Sequence, residues 1–159
     1  MTVTSMIAPP EDTLIIEHVQ RLLESYMHWT GRDLIPAGIS PEESARVLFY
    51  QPFVVLSHGT QEDPILNYGN QAALALWEMT WEEFTSMPSS LTAEPVNRAE
   101  RARILSQVTS NGYVDDYRGV RISKSGRRFL VEQATVWNIL DTNGRYVGQA
   151  AAFDHWTYL

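Results

Sequence analysis

Two adjacent pairs in this sequence, Ser57-His58 and Asp115-Asp116, carry residue types that could do nucleophilic or acid–base chemistry. Neighbouring side chains in a strand point to opposite faces, so neither pair converges on one site. No Asp is spaced to orient the His58 ring. An enzymatic reading therefore has no constellation to rest on, because function must be argued from a site and not from a fold. The four histidines, His18, His28, His58 and His155, show no spacing with carboxylates that would hold zinc. Asp154 and His155 could pair with Arg145 or Arg127 across a sheet, as structural ion pairs do. The sequence has no cysteine, which excludes disulfides, thiolate metal sites, iron–sulfur clusters and cysteinyl cofactor adducts.

Two amides are harder to dismiss. Gln133 lies between Val131 and Thr135, and Gln149 has Ala151 and Phe153 on the same side of its strand. A buried amide left unpaired costs about 1–3 kcal/mol, so an inward one must meet a side chain, a water or a ligand. Gln149 is the better ligand contact, because Gly148, Ala150, Ala151 and Ala152 leave room around it. The alternative is a solvated amide on an edge strand. Trp77, Met79, Trp81 and Met87 could line a pocket or simply fill the core. Asn70 reads first as a helix cap and second as a ligand contact. Tyr117 and Trp137 depend on register, since a one-residue slip turns either from core to solvent.

These residues are held by a compact unit between Pro64 and Met87. Ile65 to Tyr68 is a short apolar strand ending at Gly69, and Asn70 caps the helix that follows. Thr80-Trp-Glu-Glu83 starts a second short helix as a capping box. Before this unit, Asp12 caps a helix to Thr30 with Ile15, Val19, Leu22, Leu23 and Tyr26 on one stripe. That stripe either covers the core or pairs with a second copy of the chain. Ser40-Pro41-Glu42-Glu43 opens another helix, to about Tyr50, with Glu43 as box partner. Met1 to Pro10 reads as a loose tail. A strand covers Phe53 to Ser57.

Past an irregular stretch to Glu94, Pro95 starts a helix to Ser110 with Val96, Ile104, Leu105 and Val108 as its apolar side, stopped at Asn111-Gly112. Strands over 113–123, 127–140 and 145–156 then form an antiparallel meander with turns at Lys124–Gly126 and Asp141–Gly144. The order predicts an α+β fold, five antiparallel strands with short helices on one face.

At 159 residues and 44% hydrophobic, with 5 Trp and 7 Tyr, the chain can build one real core. No apolar run is long enough to span a bilayer, and Thr2 to Pro10 is too short and polar for a signal peptide, so a cytoplasmic location is expected, with no membrane partner. The net charge of −7 argues against nucleic acid, and the basic cluster of Arg98, Arg101 and Arg103 is interrupted by Glu100.

Residues 52–156 resemble a PAS domain. Asn70-Gln-Ala72 matches the family's N-x-A, Met79-Thr-Trp-Glu-Glu-Phe84 its short G-Y-S-x-E-E-L helix, and Glu94-Pro-Val-Asn-Arg98 its H-P-x-D-R. Tyr117-Arg118, Ser125-Gly126, Asn143-Gly144 and the closing Gly148 to Asp154 fall at the matching strands and turns. Leu56-Ser-His-Gly59, Leu76-Trp-Glu-Met79 and Glu94-Pro-Val-Asn-Arg-Ala-Glu-Arg101 resemble the MEKHLA family more narrowly, of the stand-alone bacterial or algal type. Other members close plant homeodomain–leucine zipper factors. Neither of those two modules appears in this sequence, so no DNA-binding role carries over. The resemblance divides the chain into a tail and helical extension, 1–51, and a PAS-like domain, 52–159.

The resemblance implies a pocket between sheet and short helices, and a sensory or regulatory role with no enzymatic activity. The site would comprise Gln149, Trp77, Met79, Trp81, Met87, Gln133, Tyr117, Trp137 and Asn70, with no metal. Flavin-binding relatives carry a cofactor-sensing Gln at the place of Gln149. A non-covalent flavin or another small organic ligand is compatible with this. Haem is disfavoured, because no histidine lies on the 95–110 helix where haem-binding relatives place theirs. Partners would be a second copy of the chain in a homodimer, and a small molecule or a separate effector protein. The alternatives are a ligand-free protein interaction module, using the outer sheet face and the 12–30 helix, and an enzyme on the same scaffold.

Overall fold

Capping residues set where four of the α-helices begin. In the computed structural model, which describes residues 8–159, Asp12 caps α1 (Thr13–Thr30) by accepting from Leu14 N, and Gly31 ends it in the left-handed region at φ 71°. Ser40 caps α2 (Pro41–Phe49) through Glu43 N. The expected capping box is only half made there, because the Glu43 carboxylate turns to Arg46. The tail expected over Met1–Pro10 lies outside the described residues as far as Ile7, and Pro9–Glu11 is a 3₁₀ turn with Pro10 buried.

The strands β1 (Val54–His58), β2 (Leu66–Gly69), β3 (Tyr113–Ile122), β4 (Arg128–Leu140) and β5 (Tyr146–Phe153) form one antiparallel sheet in the order β2-β1-β5-β4-β3. The last strand, expected unbroken over 145–156, is two. β5 stops at Phe153, and β6 (His155–Tyr158) pairs with Phe129–Glu132 of β4, while β5 pairs with Thr135–Leu140. The change of partner falls at Gln133, whose φ of 54° kinks β4 between the two halves.

On one face lie α3 (Gln71–Trp77), α4 (Trp81–Phe84) and α5 (Pro95–Asn111). Asn70 caps α3, and Thr80 and Glu83 complete the reciprocal box on α4. The stretch read as irregular before α5 contains a 3₁₀ turn, Ser89–Thr92. Val96, expected on the apolar side of α5, is 82% exposed.

Alternation along the strands makes two cores. Val54, Phe129, Val131, Ala134 and Phe153 face α3 and α4, where Trp77 packs edge-on against Phe129 at 5.2 Å between ring centres. Val55, Tyr68, Trp137, Ile139 and Ala152 face the other way and are covered by Val19, Leu22 and Tyr26 of α1 and Leu48 and Phe49 of α2. Helices therefore cover both faces, and the amphipathic stripe of α1 is spent on this sheet. The outer face is accordingly not open as a contact surface. Polar bonds fasten α1 to β4. Trp29 Nε1 donates to the Asn138 carbonyl at 2.9 Å, and Leu140 N donates to Ser25 Oγ at 2.8 Å.

Candidate functional site

Three neighbouring strands put three polar side chains in one row across the inner face, since His58 stands opposite Gln149 and Gln149 opposite Asn138. The next row along the same face is Leu56, Ala151 and Val136. The small Ala151 between larger neighbours leaves space. A cavity of about 60 Å³ opens there, with apolar walls from Leu56, Leu66, Trp77, Val131, Val136 and Phe153. Gly148, at φ 153°, allows β5 to pass the His58 carbonyl, which a Cβ would meet at 2.2 Å.

The Gln149 amide orientation follows from its partners. Asn138 Nδ2 donates to the carbonyls of Val108 at 3.0 Å and Thr109 at 3.2 Å, so its Oδ1 is left to accept. Gln149 Nε2 lies 3.1 Å from that oxygen, 2.9 Å from the Leu105 carbonyl and 2.9 Å from Thr109 Oγ1. The two amides thereby bind carbonyls near the C-terminus of α5, among them that of Thr109, which the last turn leaves free. The His58 ring is 8% exposed and its Nδ1 donates to the Gly59 carbonyl at 2.9 Å, which leaves Nε2 as a bare acceptor without a partner. Burial holds His58 below the usual histidine range, with the Arg101 charge acting in the same direction.

Two arginines line the same cavity. Arg101 donates from NH2 to Ser89 Oγ at 2.7 Å, and Arg121 donates to the Tyr117 hydroxyl and, at 2.8 Å, to the Val120 carbonyl. Among the described residues neither guanidinium has a carboxylate partner; the ion pairs use other side chains. Burial, and after it the charge of Arg121, brings Arg101 down to about 10. Gly119 makes room for this corner, since a Cβ there would strike the Tyr117 hydroxyl.

Of the expected site residues, the cavity collects Gln149, Trp77 and Tyr117. Met79 and Met87 pack at the edge of the inner core and do not line it. Trp81 turns the other way, onto Phe49 and Tyr68. Trp137 is fully buried on the outer face against Tyr26, because its register with Ala150 puts it under α1. Gln133 sits at the kink and is exposed, so it does not enter the core. Asn70 is wholly structural. It accepts from Ala73 N and Val55 N and donates to the Leu48 and Phe53 carbonyls. Ser57 does meet a histidine, but it is His18 of α1, at 2.8 Å on the outer face, and the Ser57 proton goes to Asn67. Asp154 pairs with its neighbour His155 and not across the sheet.

Arg101, Arg121 and His58 are the residues that the sequence reading missed. Arg101 was grouped with Arg98 and Arg103 as one basic cluster. The three separate, with Arg98 on the Ala93 carbonyl, Arg103 on Glu100 and Arg101 turned inward. The available signal was spacing: Arg101, Leu105 and Val108 fall on one helical stripe, which places a cation on the inward side.

The cavity is small for a flavin or a haem. A cavity of about 150 Å³ is what one benzene ring takes, so about 60 Å³ does not admit a fused ring system. Among the described residues no cluster of metal-ligating side chains occurs, and no helix is long and apolar enough to cross a membrane.

The model of the MEKHLA domain matches residues 16–158. The homeobox-leucine zipper protein ATHB-14 of Arabidopsis thaliana is 26% identical over 156 residues, which cover 94% of this chain and 18% of that protein. ATHB-9 of the same plant is 27% identical over 139 residues, 84% of this chain and 16% of that protein. The chain thus spans less than a fifth of the length of these relatives. Among solved structures, a PAS domain from Colwellia psychrerythraea superposes with a TM-score of 0.63 at 15% identity, over 74% of this chain and 95% of that one. An RNA-binding light-oxygen-voltage receptor superposes with a TM-score of 0.60 at 19% identity, over 75% of this chain and 34% of that one. The fold is that of PAS domains.

Proposed function

The chain belongs to the MEKHLA domain family, and from that premise we propose that it works as a non-catalytic cytoplasmic sensory domain, holding a small molecule in the cavity between the sheet, α3 and α5. One observation carries the reading. Two side chains lining the cavity, His58 and Trp77, are buried with a polar atom unpaired, an acceptor on one and an N–H donor on the other. Leaving such atoms unmatched costs about 1–3 kcal/mol each, which a bound molecule offsets.

Occupancy is read through the sheet. His58 is followed back along β1 by Ser57, which faces His18 of α1, and Gln149 is followed by Ala150, which stands opposite Trp137 under Tyr26. A ligand that moves β1 or β5 on the inner face changes the seat of α1 on the outer face, and the shift is as large as its difference in affinity for the two seats. The outward side of α1, with Leu14 and Met27 exposed, then meets a second copy of the chain. A net charge of −7 speaks against nucleic acid as the partner.

Native mass spectrometry of the protein purified from its own host, together with sedimentation before and after removal of any bound mass, tests this. A bound mass and a change in oligomeric state on its removal are expected. A bare chain whose state and stability stay unchanged when Gln149→Leu closes the cavity would overturn the reading in favour of a ligand-free interaction module.

A further inference from the structure

The cavity wall is divided by chemistry. Arg101, Arg121, the Tyr117 hydroxyl and Ser89 Oγ supply donors at one side, two of them cationic and without a carboxylate partner among the described residues. His58 Nε2 supplies a bare acceptor nearby, since Gln149, which stands opposite His58, binds the carbonyl of Leu105, one helical turn from Arg101. Apolar side chains fill the rest. A group that answers the guanidiniums must be anionic, and planar carboxylate geometry suits them best. A group that answers this acceptor must donate a proton. An ammonium would stand beside two like charges and is disfavoured, whereas a hydroxyl donates without charge. The cavity of about 60 Å³ restricts the ligand to a very small molecule.

We propose that the cavity is a binding site for a short-chain hydroxycarboxylate, its carboxylate held by Arg101 and Arg121 and its hydroxyl donating to His58 Nε2. This assignment rests on the sensory reading above and names the ligand class of the same cavity. Ser89 and Tyr117 complete the carboxylate side, each with a hydroxyl proton still free after accepting from an arginine. Gly119 is part of the recognition, because only a residue without a Cβ leaves the Tyr117 hydroxyl where Arg121 meets it.

Calorimetric titration of the whole chain with glycolate, lactate, acetate, glycine, inorganic phosphate and ethanol, followed also by Trp fluorescence, is the test. Glycolate or lactate is expected to bind at least about tenfold more tightly than acetate or glycine, the worth of one hydrogen bond to a buried group. Arg101→Gln and Arg121→Gln, each checked for native circular dichroism, are expected to lose binding by at least about tenfold. His58→Phe should bring glycolate and acetate to equal affinity. Ethanol perturbing the cavity while no carboxylate binds would overturn the hydroxycarboxylate assignment and leave the sensory reading standing. Phosphate binding as tightly as glycolate would overturn the carboxylate assignment. Silence to every probe would remove this proposal, and a bare chain from the native host would remove the sensory reading with it.

Discussion

Replacing Arg101 with Met should stabilise the free protein. Burial and the neighbouring Arg121 bring the Arg101 guanidinium down from the ordinary arginine range to about 10, which at about 1.4 kcal/mol for each pKa unit sets the penalty for keeping it charged at on the order of 3 kcal/mol. Part of the side chain remains in water, and screening there reduces this to about 2 kcal/mol. Met is unbranched and follows the same path along Leu105. It gives up the bond to Ser89 Oγ, about 1 kcal/mol net. The balance is about 1 kcal/mol in favour of the variant, or about 2–4 °C in a domain of this length. The folded-state value lies below the unfolded one for a cation, so the penalty is present in full at every pH below about 10 and is relieved as pH rises from there towards the ordinary arginine range. A thermal melt at neutral pH in low-salt buffer therefore reads all of it. A carboxylate that binds should raise the wild type and leave Arg101→Met unmoved. A variant less stable than wild type by more than about 1 kcal/mol would refute the reasoning, because Arg101 would then be a structural strut and not an uncompensated charge.

Leu22→Ala should cost about 2–5 kcal/mol in urea denaturation, since Leu22 is fully buried under the sheet, whereas Leu14→Ala on the same helix should stay within about 0.5 kcal/mol. Asn70→Ala should cost about 3 kcal/mol or more by the same assay, for it strands two buried N–H groups and two carbonyls at once. Burial, helped by Arg21, lowers His18 to about 4, so the unfolded chain takes up its proton first and stability falls as pH drops from about 6.5 to 4. Urea midpoints across that window should flatten in His18→Gln by up to about 3 kcal/mol, with a remaining slope from His58, which is lowered in the same sense.

Local chemistry made much of this fold readable in advance. Asp12, Ser40, Asn70 and Thr80 all cap helices where their side chains said they would, because a cap needs only residues within one turn. The features that were misread depend on partners far away in sequence. The kink at Gln133 comes from β4 changing its neighbour from β6 to β5, and no residue beside Gln133 announces it. Trp137 and Gln149 are both in the long meander, yet register sends one under α1 and the other into the cavity, a difference of face that only pairing decides. Arg101 was misread because helical arginines are usually solvated, and its inward turn needs the gap that Ala151 and Gly119 leave on two distant strands.

The same alternation that hid the site also gives it an outlet. A sheet one residue thick cannot move an inward side chain without moving the outward ones beside it, because both hang from one backbone. Here the inward row His58, Gln149, Asn138 runs beside an outward row of Ser57, Ala150 and Trp137. Each end of that outward row is in direct contact with α1, through His18 at 2.8 Å and through Tyr26 at 5.0 Å between ring centres. The Asn138 backbone adds a third link, since its carbonyl accepts from Trp29 while its side chain holds the end of α5. The route from cavity to α1 therefore crosses one layer of backbone directly, without passing through α3 and α4. Loosening α4 by removing Glu83 from its cap should thus leave any ligand effect on α1 intact, whereas cutting Trp29 from Asn138 should weaken it.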